Sequence, residues 1–239
     1  MIEFHYAPTP NGWKVGIMLE ECGLAYETHL VRLAEGDQFR PEFMAISPNA
    51  KMPAILDRDP PESYGPEPVP VFESGAILLY LAEKTGGFAP PESDRRARKD
   101  LHEWLFWQAA NQGPMGGQLS HFRNYAPEGE RDYGFRRYLG EYDRNLGVLD
   151  ARLEGRDFIL GDYSVADMMA FPWAFIAKPL GASLEQFPNV ARWRETLKAR
   201  PAVRAAIDLM KNAQNRGERN ATNTPLLYSQ NAESLKRGA

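Results

Sequence analysis

A change of pattern at Thr85-Gly86-Gly87 constrains this chain more than any other feature. Before it, apolar runs of strand length alternate with runs of helical period. After the Pro90-Pro91 linker no strand signal returns. Such a chain predicts a small mixed sheet with flanking helices, joined to a region made of helices. Its 239 residues suit one two-part globular unit or two small domains.

In the first part, Ile2–Tyr6 reads as a strand, and Gly12–Cys22 as a helix carrying Val15, Met18, Leu19 and Cys22 on one face. Gly23 stops that helix. Tyr26–Val31, Ala54–Asp57 and Val69–Phe72 read as strands, and Pro41–Ile46 as a short helix with proline in its first turn. The Pro- and Gly-rich stretch from Asp59 to Pro70 is a loop, and Ser74–Lys84 closes the part as a helix.

In the second part, helical patterns cover Asp94–Gln112, Arg131–Leu153, Ser164–Lys178, Val190–Ala199 and Ala202–Lys211. Ser164-Val165-Ala166-Asp167 is a capping box. The expected division is residues 1–86, residues 94–213, and a polar, Asn-rich tail over residues 214–239, which is either frayed or a strap over the body.

Composition narrows the function. A net charge of −4 argues against general nucleic-acid or anionic-membrane binding. The chain has no apolar run of membrane-spanning length and no signal-peptide pattern at Met1, so a cytoplasmic protein is expected. The single cysteine, Cys22, excludes an intrachain disulfide framework and a CxxC pair. The histidines His5, His29, His102 and His121 are scattered, so no metal site is expected.

Three motifs bear on chemistry. Thr9-Pro10-Asn11-Gly12 sits between a strand and a helix, where unpaired N–H groups make an electropositive spot for an anion. Asn49-Ala50-Lys51-Met52-Pro53-Ala54 precedes a strand, and Phe72-Glu73-Ser74-Gly75 opens a helix. Together they suggest a site for a small anionic, peptide-like ligand. Each also has a plainer reading. Asn11 and Ser74 are ordinary N-cap types, Pro53 can simply begin a strand in the trans form, and Lys51 suits a solvated surface.

The motifs carry a family resemblance. Thr9-Pro10-Asn11-Gly12, Gly36-Asp37-Gln38-Phe39, Ile46-Ser47-Pro48-Asn49, Lys51-Met52-Pro53-Ala54 and Phe72-Glu73-Ser74-Gly75-Ala76-Ile77 resemble the nu class of the glutathione S-transferase superfamily. In the helical half, Trp104-Leu105-Phe106-Trp107-Gln108, Gly113-Pro114-Met115-Gly116-Gly117-Gln118 and Tyr163-Ser164-Val165-Ala166-Asp167 match the same pattern. The resemblance covers residues 1–210. It implies an α+β thioredoxin-like N-terminal domain followed by an all-α C-terminal domain, the glutathione transferase fold.

It also implies roles. Glutathione would be the co-substrate, with no metal. Ser74 and the nearby N–H groups would take the γ-glutamyl carboxylate, and Glu73 the ammonium group. Pro53 resembles the family's cis-proline, which would offer the Met52 backbone to the cysteinyl peptide as an added strand does. Gln38 and Lys51 would hold the glycine carboxylate, and Arg137 would reach the ligand from the helical domain. Thr9 and Asn11 would donate hydrogen bonds to the glutathione sulfur and favour its thiolate. Tyr6, at the end of the first strand, is the rival donor. Cys22 is expected to pack rather than react. The aromatic cluster Trp104, Phe106 and Trp107 is expected to be mostly core, while Trp13, Met115, Phe122 and Tyr125 could wall an apolar second-substrate pocket.

The expected function is glutathione-dependent disulfide-bond reduction by a homodimer, with two glutathiones serving as the dithiol. The alternatives are transferase or lyase attack on an electrophilic carbon, such as that of an aryl ether, and a glutathione-binding regulator with little catalysis.

Overall fold

Alternation in the first strand explains where the sheet forms. Ile2, Phe4 and Tyr6 of β1 (Ile2–Tyr6) are buried on one face, while Glu3 and His5 point to the other. In the computed structural model, which describes residues 1–211, 226–227 and 230–236, β1 pairs parallel with β2 (Tyr26–Leu30) and antiparallel with β3 (Ala54–Asp57). Strand β4 (Val69–Phe72) completes the order β2-β1-β3-β4. The register sets Phe4 opposite Ile55 and His5 opposite Ala54, so the two faces stay distinct across the strands.

Helices cover both faces. Helix α1 (Pro10–Glu21) buries Val15, Ile17, Met18 and Leu19, and α3 (Ser74–Thr85) buries Ile77, Leu78 and Leu81. Each such side chain contributes about 1.5–3 kcal/mol on leaving water. On the opposite face, Phe43 of α2 (Pro41–Ile46) packs with Val31 and Ala54. Gly23 ends α1 at φ 60, as its position predicted. Asp57, fully buried, fixes β3 to α3 by accepting from Tyr80 Oη at 2.8 Å and pairing with Lys84 Nζ at 2.8 Å. Burial pushes its carboxyl up, and the hydrogen bonds from Lys84, Asp59 N–H and Tyr80 outweigh that and hold it below the usual range.

The chain divides into two compact units, Met1–Thr85 with Ala205–Ala239, and Gly86–Arg204. This differs from the expected run of the helical domain to residue 213, of which 212–213 lie outside the described residues. The reason is local. A Cβ on Gly16 would stand 3.3 Å from Cβ of Ala206, so α1 and the helix Pro201–Asp208 meet through two very small residues. The Leu209 carbonyl also accepts from Tyr6 Oη at 3.4 Å. Of the expected tail over 214–239, only 226–227 and 230–236 are described. There Leu226 lies against Gly36, and Ala232–Leu235 forms a short helix capped by Asn231.

The second unit contains α4 (Arg95–Trp107), α5 (Gly113–Asn124), α6 (Arg131–Arg152), α7 (Val165–Phe175), α8 (Ala177–Leu180) and α9 (Pro188–Lys198), with α10 (Pro201–Asp208) running out of it. The predicted helix Asp94–Gln112 ends at Trp107 and widens into a π-type turn over Gln108–Gln112. Helix α5 was not predicted, because Gly113, Pro114, Gly116 and Gly117 read as breakers. Tertiary packing overrides that. Pro114 falls in the first turn, where its missing N–H is no loss, and Gly116 lies so close to Trp173 that a Cβ would stand 2.5 Å from the ring. Phe122 of α5 likewise presses on Gly134 and stacks on Tyr138. In the predicted aromatic cluster Trp104 and Trp107 are half-buried, but Phe106 is 73% exposed, a correction that follows from its place on the outer face of α4.

Candidate active site

The N-terminus of α1 is built by Thr9. Its backbone is extended (φ −133, ψ 161), and its Oγ1 accepts the Gly12 N–H at 3.3 Å. Thr9 is therefore the N-cap, the role that the plainer reading gave to Asn11. Asn11 instead sits half-buried inside the first turn. The Thr9 hydroxyl donates in turn to Met52 Sδ at 3.7 Å. That contact joins the helix start to the Met52–Pro53 peptide, which is cis and leads into β3. Pro53 is buried, while Lys51 beside it is exposed.

The start of α3 lies against the same helix. Glu73 is exposed and holds a left-handed backbone (φ 68), and its carbonyl accepts from Ile77 N–H at 2.9 Å. Glu73 thus fills the cap position, and Ser74 is the first helical residue rather than a plain N-cap. The Ser74 hydroxyl is turned inward and accepts from Lys14 Nζ at 3.4 Å. Lys14 is 2% exposed; burial pushes its ammonium down to about 7, against an upward pull from Glu73. The reading of the sequence missed Lys14, though a signal existed, since it lies four residues before Met18 on the apolar face of α1.

The other candidates stand as follows. Gln38 is buried, and its Nε2 donates to the carbonyls of Leu33 at 3.3 Å and Leu226 at 3.4 Å. Arg137 belongs to the second unit, where its guanidinium pairs with Glu141 at 2.5 Å. Tyr6 is fully buried, and burial pushes its phenol up to about 12, so it is a neutral donor only. Cys22 sits at the C-cap of α1, half-buried, with Sγ 3.6 Å from Thr85 Oγ1. Burial raises its thiol, which disfavours the thiolate. We therefore expect Cys22→Ala to keep most turnover at a stability cost of about 1 kcal/mol or less. Loss of activity with fold and ligand affinity intact would reassign the nucleophile. Among the described residues, no cluster of His, Cys, Asp and Glu could hold a metal ion, and no helix is long and apolar enough to cross a membrane.

Thr9, Met52 and Pro53 are thus brought together, and α1 links them to Lys14, Ser74 and Glu73. Residues 9–84 match the model of the glutathione S-transferase N-terminal domain, and residues 135–201 that of the C-terminal domain. The chain is similar to the disulfide-bond oxidoreductase YfcG of Escherichia coli K12, with 46% identity over 208 residues covering 87% of this chain and 94% of the relative. It is similar to a solved glutathione transferase from Burkholderia graminis with two glutathione molecules bound per subunit (46% identity, TM-score 0.81, 88% of each chain). A third similar protein is a glutathione transferase from Pseudomonas putida with one glutathione disulfide bound per subunit (41% identity, TM-score 0.79, 87% of this chain and 91% of that one).

Proposed function

Because the chain belongs to the glutathione S-transferase family, we propose that it is a glutathione-dependent disulfide-bond oxidoreductase whose reacting thiol is carried in by glutathione. The observation that carries this reading is the cysteine inventory. The only thiol of the chain, Cys22, is paired with Thr85 and held toward its protonated form, so the protein offers no dithiol of its own. One glutathione thiolate attacks the substrate disulfide, forms a mixed disulfide and expels a substrate thiolate. A second glutathione thiolate attacks the mixed disulfide, giving glutathione disulfide and expelling the second substrate thiolate, which takes its proton from water.

The chain's residues serve the thiolate and the peptide. The Thr9 hydroxyl now donates to a thioether, a weak acceptor, so a thiolate in that place would draw the same hydrogen more strongly. The N-terminal end of α1 adds its dipole, and Asn11 is the second donor. Ser74 and Glu73 take the γ-glutamyl head, and the Met52 backbone beside Pro53 takes the cysteinyl peptide. The exposed ammonium of Lys51 suits the glycine carboxylate, with Gln38 and Arg137 as further contacts. Nu-class membership, a homodimer, a cytoplasmic location and a small disulfide as second substrate complete the reading.

The test is reduction of hydroxyethyl disulfide by the purified protein with glutathione, compared with glutathione alone, beside chlorodinitrobenzene and an aryl ether. Reduction well above the glutathione background, surviving Cys22→Ala, is expected. Disulfide reduction no faster than background, with good turnover of the ether or halide, would replace this reading with transferase or lyase chemistry. Ser74→Ala deletes a hydrogen bond to a charged carboxylate and should weaken glutathione binding by about 1.5–3 kcal/mol in calorimetry. Unchanged affinity would remove Ser74 from the site.

A further inference from the structure

A carboxylate can bond to Gln38 only through the side-chain N–H groups, and these are already taken. Nε2 donates to the carbonyls of Leu33 at 3.3 Å and Leu226 at 3.4 Å, while the buried Oε1 accepts no hydrogen bond. Chemistry fixes this orientation of the amide, because the opposite one would set Oε1 against two carbonyl oxygens. At 1% exposure the side chain is also closed to any molecule from outside. Leu226 lies over this turn, with its side chain on Gly36 and its carbonyl on Gln38. We infer that the C-terminal strap, through Leu226, competes with the glycine carboxylate of glutathione for Gln38, so that the strap must let go before this end of the site is complete. The inference rests on the assignment of the glycine carboxylate to Gln38 and Lys51.

The energetics favour such an exchange. Both bonds of Gln38 are long for N–H···O, whose usual separation is about 2.9–3.0 Å. A carboxylate accepts the same hydrogen in a charge-assisted bond, about twice as strong as a neutral one. Nothing is left stranded when the strap departs. The Leu226 carbonyl also accepts from Gln230 Nε2 at 2.8 Å and keeps that bond when Gln38 changes partner. The bond to Leu33 is local to the turn and can persist.

The strap is also lightly held. From Gln230 to Lys236 every residue except Ser234 is exposed, and Leu226 itself is half-buried. A segment with so little buried surface opens at small cost. Linkage then works in both directions: by whatever factor the strap weakens binding of the carboxylate, the bound carboxylate weakens docking of the strap.

Two ligands separate this competition from a general loosening of the fold. S-methylglutathione carries the glycine carboxylate, and its glycine methyl ester carries no charge there. In hydrogen exchange on the full chain, saturating S-methylglutathione should speed exchange in peptides covering Leu226 and Ala232–Leu235 by about threefold or more, and the ester should do so far less. Leu226→Ser, which removes the apolar contact with Gly36, should raise affinity for S-methylglutathione about fivefold in calorimetry and leave that for the ester nearly unchanged. Exchange that is unchanged or slowed by S-methylglutathione would overturn the inference. So would an equal effect of the two ligands, or a folded Leu226→Ser protein with unaltered affinity. If that variant fails to fold, the exchange measurement on the unaltered chain decides. Failure of the unaltered protein to bind S-methylglutathione at all would instead overturn the glutathione site itself, and this inference with it.

Discussion

Gly12→Ala is expected to lower glutathione-dependent turnover by about a hundredfold and to destabilise the protein by about 1–3 kcal/mol or more. A Cβ built at this position would lie 2.3 Å from the Ala7 carbonyl oxygen and 2.7 Å from the Tyr6 ring. The nearest atom belongs to the backbone, so no side-chain rotation relieves the clash. Either the start of α1 or the loop from Ala7 to Thr9 must shift, and Thr9 and Asn11 ride on that junction. The gain in helix propensity from glycine to alanine, about 1 kcal/mol, does not offset this. Turnover with hydroxyethyl disulfide and the urea unfolding midpoint are the measurements. If both stay at the level of the unaltered protein, the close approach at Gly12 is not a constraint on the site.

Asp167→Ala is expected to cost about 3–5 kcal/mol, enough to leave the protein largely unfolded or insoluble at physiological temperature. The carboxylate is fully buried and accepts from Ile159 N–H at 3.0 Å, Ser164 N–H at 3.0 Å, Ser164 Oγ at 3.2 Å and Trp193 Nε1 at 2.8 Å. Alanine would strand donors from three parts of the second unit at once. Asp167→Asn separates charge from geometry. Its amide oxygen can keep the bonds from Ile159 and Trp193, but its amide nitrogen would then face the Ser164 N–H donor. It should therefore still lose stability, though less than Asp167→Ala. A denaturation midpoint for Asp167→Ala within a few tenths of a kcal/mol of the unaltered protein would show that this network does not hold the helices.

Much of this architecture is legible in the residues, and the exceptions have physical causes. Strands β3 and β4 and helix α2 fall where apolar runs and Pro or Gly boundaries put them. The Ser164–Asp167 box is formed as its spacing predicts. Helix α5 is hidden because its glycines serve contact with Trp173 and do not break the helix. In the candidate site, short motifs single out Thr9 and Ser74 as candidates but not what each touches. Thr9 meets Met52 across 43 positions of chain and Lys14 meets Ser74 across 60, and no local spacing encodes such pairs. Gln38 is a similar case, because its amide bonds to Leu226 at the far end of the chain.

The meeting of Gly16 with Ala206, and of Tyr6 with the Leu209 carbonyl, also orders events during synthesis. A ribosome makes the four strands and their helices first, yet the back of α1 stays open until more than two hundred residues have been polymerised. The helical unit in between, Gly86–Arg204, has all of its chain available earlier. The nascent protein thus completes its middle before its beginning. The surface around Gly16 stays exposed on a chain still being translated until Ala206 has been made.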